Sequence, residues 1–129
     1  MTSRDEVIRQ FGQLYLGDSV LERLVLDNVG ETCLLEFHSG KLLQSPTSSI
    51  FEPLEKFEPA LLRFRGVRSF HVEGGPYQLN STVVGFGAVA SEADNHVEFR
   101  FDLTGGIDPE AFWATMKIVA ERFEFGPRQ

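Results

Sequence analysis

All three histidines of this chain have a glutamate two positions away. The pairs are Glu36 with His38, His71 with Glu73, and His96 with Glu98. On a β-strand, residues i and i+2 lie on the same face, so each pair presents an imidazole beside a carboxylate. These are groups that bind zinc or transfer protons. The six residues are therefore the candidate site of a small enzyme or ligand-binding protein.

The same six residues also fit the solvated face of a sheet, and we favour this second interpretation. Ser69, Arg100 and Asp102 would share that face, which gives the mixed charge of ordinary cross-strand pairs. The sequence contains no H-x-H, HExxH or C-x-x-C spacing, the patterns that identify metal sites. We therefore expect no catalytic residue, no metal and no cofactor, and keep the His/Glu site as the alternative.

Two segments have the apolar spacing of helices that could cover the sheet. Near the N-terminus, SRDEVIRQFGQLYLG combines a capping box at Ser3 and Glu6 with a stop at Gly17. Near the C-terminus, Asp108 and Pro109 are a typical helix start. The residues that then form an apolar stripe are Phe112, Met116, Val119, Ala120 and Phe123. A second helix is predicted there, ending at Gly126-Pro127.

Between these segments, short stretches with alternating apolar and polar residues predict strands joined by turns. VEFRFDL is the clearest, with Val97, Phe99 and Phe101 on one side. We predict one domain, residues 1–129, with an α+β fold: a largely antiparallel sheet of about six or seven strands, packed by an N-terminal and a C-terminal helix. The predicted core is Cys33, Leu35, Phe37, Phe64, Phe70, Val72, Val97, Phe99, Phe101, Phe112, Met116 and Val119.

The balance of charges restricts the partners that we expect. The formal net charge is −7 and the calculated pI about 4.9. Nucleic acids and anionic membranes attract basic surfaces, so neither is an expected partner. A basic protein is compatible with this charge, and the sequence leaves a homodimer open. The N-terminal residues lack an apolar signal segment, so we expect a cytoplasmic protein.

The segment 45–59 is rich in proline and combines aromatic with acidic residues. Glu52, Glu55 and Glu58 alternate there with Phe51 and Phe57. Apolar side chains surrounded by charge are typical of protein contact sites, so these five residues are the candidate partner contact. The other interpretation is that the two phenylalanines fill the core.

The segment Gly17-Asp18-Ser19-Val20 is similar to the opening block of GDSL-type hydrolases, in which the serine attacks an ester. In that family the block follows a buried strand, and an Asp-x-x-His pair completes the site. Here the block follows the first predicted helix, and no histidine follows His96. We therefore interpret Asp18-Ser19 as a turn.

Several longer segments resemble small uncharacterised bacterial domains, some of them similar to immunity proteins of polymorphic toxin systems. The resemblance rests on the first predicted helix, SVLERLVLD, FRGVRSFHVEG and VEFRFDLTGG. It implies a non-enzymatic cytoplasmic protein that binds a toxin domain or another protein. Our expectation is therefore a small binding module with an acidic surface and a basic protein partner.

Overall fold

The computed structural model of the chain describes residues 3–16, 19–27, 29–42, 58–74, 81–91, 96–105 and 112–127. These residues form one short helix and nine strands. The elements are α1 (Arg4–Phe11), β1 (Leu14–Tyr15), β2 (Val20–Asp27), β3 (Thr32–Leu42), β4 (Glu58–Arg65), β5 (Ser69–Gly74), β6 (Ser81–Ala90), β7 (Val97–Gly105), β8 (Phe112–Ala120) and β9 (Arg122–Pro127).

Helix α1 begins at the predicted capping box but is shorter than the sequence pattern predicts. The Ser3 hydroxyl accepts a hydrogen bond from the Glu6 backbone N–H at 3.2 Å, which satisfies one of the free donors at a helix start. The helix ends at Phe11 instead of Gly17 because Leu14 and Tyr15 leave it to pair with β3. Its buried face includes Phe11.

Every strand pair in the described structure is antiparallel, which confirms that part of the prediction. The spatial order is β5-β8-β7-β6-β2-β3-β4-β9, and β1 pairs with β3 outside this path. The contact between β2 and β6 is confined to two residue pairs, Val20 with Thr82 and Leu21 with Ser81. The two halves of the sheet therefore diverge soon after they meet.

The first and last strands of this order belong to one bent ribbon. Only Gly66–Arg68 separates β4 from β5, and only Glu121 separates β8 from β9. The backbone hydrogen bond from Glu121 N–H to the Arg65 carbonyl, at 3.1 Å, crosses the bend. The three residues Gly66–Arg68 thus lie opposite Glu121 alone. This unequal count is a bulge, and it bends the ribbon. Because β4 contacts β3 and β8 contacts β7, the ribbon joins both halves of the sheet around one core.

The predicted α+β fold with two covering helices is wrong, because the C-terminal segment forms β8 and β9. Alternate residues of β8, Ala114, Met116 and Ile118, are buried, whereas Trp113 is exposed. Apolar residues in this segment fit the helical period and the period of two equally well. Pairing decides between them, since β8 lies between β5 and β7 and satisfies the backbone groups of both.

Most of the predicted core is buried, in a cluster of phenylalanine rings. Phe11 of α1 packs edge-to-face on Phe99, Phe101 and Phe123, with ring centroids 4.9–6.0 Å apart. The predicted core residues that are fully buried are Cys33, Leu35, Phe37, Phe64, Val97, Phe99, Phe101 and Met116. Phe70 and Val72 are partly buried. Val119 lies on the opposite side of β8 from Met116 and is half-buried, and the Phe112 side chain lies outside the description.

Candidate ligand-binding groove

His71 and Glu73 lie on the outer face of β5, where Glu73 makes ordinary surface contacts. His71 Nε2 is 3.4 Å from Glu73 Oε1, and both side chains are more than half exposed. The same oxygen accepts a hydrogen bond from Lys117 Nζ of β8 at 3.2 Å. That hydrogen bond is the main cause of the lowered pKa of Glu73. The lysine therefore stabilises Glu73 as a carboxylate.

In the other two pairs, the glutamate is held by an arginine. Glu98 accepts a hydrogen bond from Arg100 Nε at 2.5 Å. Glu36 lies 3.5 Å from Arg23 on the neighbouring strand. His38 is exposed on β3.

The described structure does not bring the three histidines together. His71 of β5 pairs with Lys117 of β8, and Lys117 in turn pairs with Arg100 of β7. His96 lies four residues before Arg100. With about 4.8 Å between strands and 3.3 Å per residue, His71 and His96 are roughly 16 Å apart. His38 lies on β3, in the other half of the sheet. Among the described residues, no group of three or more His, Cys, Asp or Glu side chains could hold a metal ion.

Two other predicted features are the candidate partner contact in segment 45–59 and the serine of the GDSL-like block. Phe51, Glu52, Glu55 and Phe57 lie outside the described residues, and Glu58 is the first residue of β4, with its side chain outside the description. Ser19 is buried, and its hydroxyl donates to the Ser39 carbonyl at 2.6 Å and accepts from the Ser39 N–H at 3.1 Å. This serine therefore ties β2 to β3 through both of its hydrogen-bonding functions.

An open groove of about 700 Å³ lies at the bend of the ribbon. This volume is in the range of small-molecule and side-chain binding sites, about 300–1,000 Å³. The groove lies between the β2–β3 turn, the bend itself and the start of β7. Its lining residues are Leu26, Asp27, Glu31, Thr32, Gly66, Val67, Arg68, Ser69, Phe70, His96 and Glu121.

One wall of the groove is the turn between β2 and β3. Asp27 Oδ1 accepts hydrogen bonds from the N–H groups of Val29 and Gly30, at 3.1 and 3.0 Å, which closes the turn. Glu31 follows with a positive φ of 53°, a conformation that costs a residue with a side chain about 1–2 kcal/mol. Its carbonyl accepts a hydrogen bond from Val67 N–H at 2.8 Å, which fixes the turn against the ribbon.

The opposite wall is the bulge in the ribbon. Gly66 has a φ of +66°, and a Cβ atom there would lie 2.7 Å from the side chain of Glu121. Arg68 N–H donates to the Val119 carbonyl at 2.7 Å, so the backbone on both sides of the bulge is fixed. The glycine thus lets the Glu121 side chain lie against the bend and line the groove.

The lining combines acidic groups with apolar surface. Asp27, Glu31 and Glu121 contribute three carboxylates, whereas Arg68 contributes the one guanidinium among the lining residues. Leu26, with 45% of its surface exposed, and the partly buried Phe70 and Val67 contribute the apolar part of the lining. Such a site suits a ligand that carries a positive charge on an apolar stem, as lysine and arginine side chains do.

One residue of the candidate His/Glu site, His96, lines this groove, whereas Asp27, Glu31 and Glu121 were not candidate site residues. Asp27 and Glu31 flank the turn between β2 and β3, and the composition of a turn does not reveal what the turn contacts. Glu121 was assigned to a helix, which would have placed it away from the turn. A signal was present in Gly66, since a glycine between two strands is typical of a bulge.

Comparisons with known proteins provide no family for this chain. No family model matches it, and no curated protein matches it. The chain is structurally similar to a crystal structure of an uncharacterized protein from Neisseria gonorrhoeae, with a TM-score of 0.47 and 13% identity over 89% of this chain and 96% of that one. Similarity at this level supports no functional argument. Within the described residues, no helix is long and apolar enough to cross a membrane.

Proposed function

We propose that this protein is a small non-catalytic binding module whose groove takes a cationic side chain of a basic protein partner. The observation that carries the proposal is that Asp27, Glu31 and Glu121 line the same groove as Leu26 and Phe70. A lysine or arginine could lay its aliphatic stem on Leu26 and Phe70 while its charged end meets the carboxylates. The net charge of −7 would steer a basic partner toward the protein.

The conformation of Glu31 supports this role for the groove. Glycine or asparagine adopts a positive φ at lower cost than glutamate. A glutamate at φ 53° is therefore locally unfavourable, and its exposed side chain contributes a carboxylate to the groove. Backbone strain of this kind is concentrated at functional sites. Binding of a cation would account for a residue that the turn alone does not favour.

The resemblance to immunity proteins of polymorphic toxin systems gives one class of partner, a basic toxin domain. Immunity-like binding belongs to the same proposal, since a cation-binding groove would serve any basic protein surface.

Binding can be measured by fluorescence anisotropy with a labelled arginine-rich peptide as the probe and a glutamate-rich peptide of equal length as its counterpart. We expect the arginine-rich peptide alone to bind, and its affinity to fall as salt is added. The double variant Glu31→Asn/Glu121→Gln removes two exposed ion pairs, each worth about 0.2–1 kcal/mol. The Kd should then rise between about twofold and thirtyfold.

A matched control separates the groove from the overall charge. Asp5→Asn/Glu22→Gln also removes two exposed carboxylates, but these residues lie on α1 and β2 outside the groove. We expect this control to bind like the unmodified protein. Glu31→Asn should leave stability unchanged or raise it, because asparagine tolerates positive φ. Equal loss of binding in both double variants, or binding of the acidic peptide, would refute the proposal.

A further inference from the structure

The outer edge of β5 is open in the described structure. β5 pairs with β8 along its whole length, from Ser69 with Val119 to Gly74 with Ala114. Among the described residues, no strand pairs with its other side, and β5 ends the spatial order of the sheet. Such an edge presents backbone N–H and C=O groups that can pair with a further strand. The side chains of β5 can therefore indicate which strand would fit there.

The β5 sequence SFHVEG is complementary to itself in one antiparallel register. When two copies are aligned with Val72 opposite Val72, His71 of each lies opposite Glu73 of the other. The same alignment places Phe70 opposite Gly74, and an aromatic ring facing a glycine is a favourable cross-strand combination. A register with one central residue opposite itself is the one that a two-fold axis generates.

We infer that β5 is a homodimer interface, at which two copies of the chain join their sheets by antiparallel pairing of β5 centred on Val72. The partner class is thus a second copy of this chain, and the charge pattern is the reason. His71 and Glu73 are 63% and 54% exposed, so both are accessible to the second copy. Directly opposite side chains have Cβ atoms about 4.5–5.5 Å apart, within reach of a hydrogen bond or ion pair.

The contacts within one chain leave this pairing possible. Lys117 and His71 both contact Glu73 through Oε1. On the outer face of the joined sheets, Lys117, His71 and the second copy's Glu73 would follow one another in a row, so that this carboxylate would face two basic side chains.

The other end of the sheet is less suited to self-pairing. β9 also has one described neighbour, β4. Its carboxylate at Glu124 accepts a hydrogen bond from Arg65 at 2.6 Å and lies 3.8 Å from Arg63. Only 27% of this side chain is exposed, against 54% for Glu73 of β5, so Glu124 is less accessible to a second copy. Pro127 at the end of β9 lacks a backbone N–H. The edge of β5 is therefore the one that we assign to the dimer.

The dimer should be weak and depend on concentration. Standard stable interfaces bury about 1,200–2,000 Å², and pairing of two six-residue strands alone buries less. Sedimentation equilibrium over a wide concentration range should therefore show a mass that rises from 14.5 kDa toward twice that value. The inference does not depend on the groove, and the groove variants should sediment like the unmodified protein.

Charge changes at the two central positions test the register. His71→Glu places like charges opposite each other on both sides of the axis and should raise the dimer dissociation constant at least about tenfold. Adding Glu73→Lys to that variant restores opposite charges and should restore dimerisation. His38→Glu is the matched control, because it changes the same residue type on another exposed strand position.

A disulfide test gives an independent readout. Val72→Cys places two thiols on the axis, where opposite Cα atoms about 4.5–5.5 Å apart lie within the range that a disulfide spans. The native Cys33 will not interfere, because burial raises the pKa of its thiol to about 12. Mild oxidation should therefore produce a covalent dimer of Val72→Cys, whereas Val89→Cys, exposed on β6, should remain monomeric.

The outcomes are decisive. A mass of one chain at every concentration, a dimer unaffected by His71→Glu, or equal weakening by His38→Glu would overturn the inference. So would equal cross-linking at positions 72 and 89. Rescue by the charge-swapped double variant together with selective cross-linking at position 72 would establish it. Circular dichroism of each variant verifies that the sheet is intact before these results are compared.

Discussion

Alanine substitutions at three glycines should have very different effects on stability, because the glycines differ in backbone conformation and in available space. Gly74 ends β5 with a φ of +79°, and a Cβ atom there would lie 2.5 Å from the backbone carbonyl oxygen of Trp113. The left-handed conformation alone costs about 1–2 kcal/mol. Because a backbone atom cannot rotate away, strain is added, and we expect Gly74→Ala to lower the free energy of unfolding by about 2–4 kcal/mol.

Gly66 tests the contribution of backbone conformation with less crowding. Its φ is +66°, but the atoms that a Cβ would meet belong to the exposed side chain of Glu121, which can move. The expected cost of Gly66→Ala is therefore the conformational term, about 1–2 kcal/mol. Movement of Glu121 should also alter the groove.

Gly87 is the control in this series. It has no positive φ, and a Cβ atom there would meet no other atom within 4 Å. Alanine in a strand interior is favoured over glycine by about 0.5–1 kcal/mol, so Gly87→Ala should leave stability unchanged or raise it slightly. Urea unfolding followed by circular dichroism gives all three values. If Gly74→Ala and Gly87→Ala differed by less than about 0.5 kcal/mol, the described end of β5 would be incorrect.

Three further changes test the core, a buried polar link and a surface pair. Phe11→Ala should lower the free energy of unfolding by about 3–5 kcal/mol, because it leaves a cavity among the phenylalanine rings. Ser19→Ala should cost about 1–3 kcal/mol, since the backbone N–H and C=O of Ser39 both lose their partner. Lys117→Met should raise the pKa of Glu73 toward its usual value in an NMR titration, because the lysine hydrogen bond is the main cause of its lowering.

Each of these changes has a control, and the pH effect of Lys117→Met has an expected direction. Val29→Ala, at a 97% exposed position, and Ser69→Ala, at an exposed one, should each stay within about 0.5 kcal/mol. The pKa of Glu6, lowered by Arg9, should not respond to Lys117→Met. A lowered pKa in the folded state stabilises the protein above the unfolded-state pKa, and this contribution disappears as the pH falls through the folded-state pKa. Lys117→Met should therefore weaken the loss of stability on acidification, and a steeper loss would contradict the reasoning.

Strand β7 shows what local pattern can predict. Val97, Phe99 and Phe101 alternate with polar residues, and all three are buried as expected. The start of α1 was also predictable, because the capping interaction of Ser3 with Glu6 lies within four residues. These predictions succeeded because the decisive contacts are between neighbours in the sequence, or because one face of the element is buried throughout.

The C-terminal segment shows where local pattern is insufficient. Its apolar residues suit a helix as well as a strand, and the cap-like Asp108-Pro109 favours the helix. The long-range pairs of Met116 with Phe101 and Val72 decide for the strand, and no local residue encodes them. The three His/Glu pairs show the same limit, because adjacency within one strand says nothing about which strands become neighbours.

The sequence by itself determined the antiparallel pattern, the phenylalanine-rich core, the start of α1 and the acidic charge. Each of these follows from side-chain chemistry or from periodicity within a few residues. The tertiary structure alone decided that β4–β5 and β8–β9 form one bent ribbon, and that Asp27, Glu31 and Glu121 line one groove at its bend. Asp27 and Glu31 are far from Glu121 in the sequence, so their position on one groove depends on the order of the strands and on the bulge at Gly66. Both become fixed only when the whole sheet encloses its core.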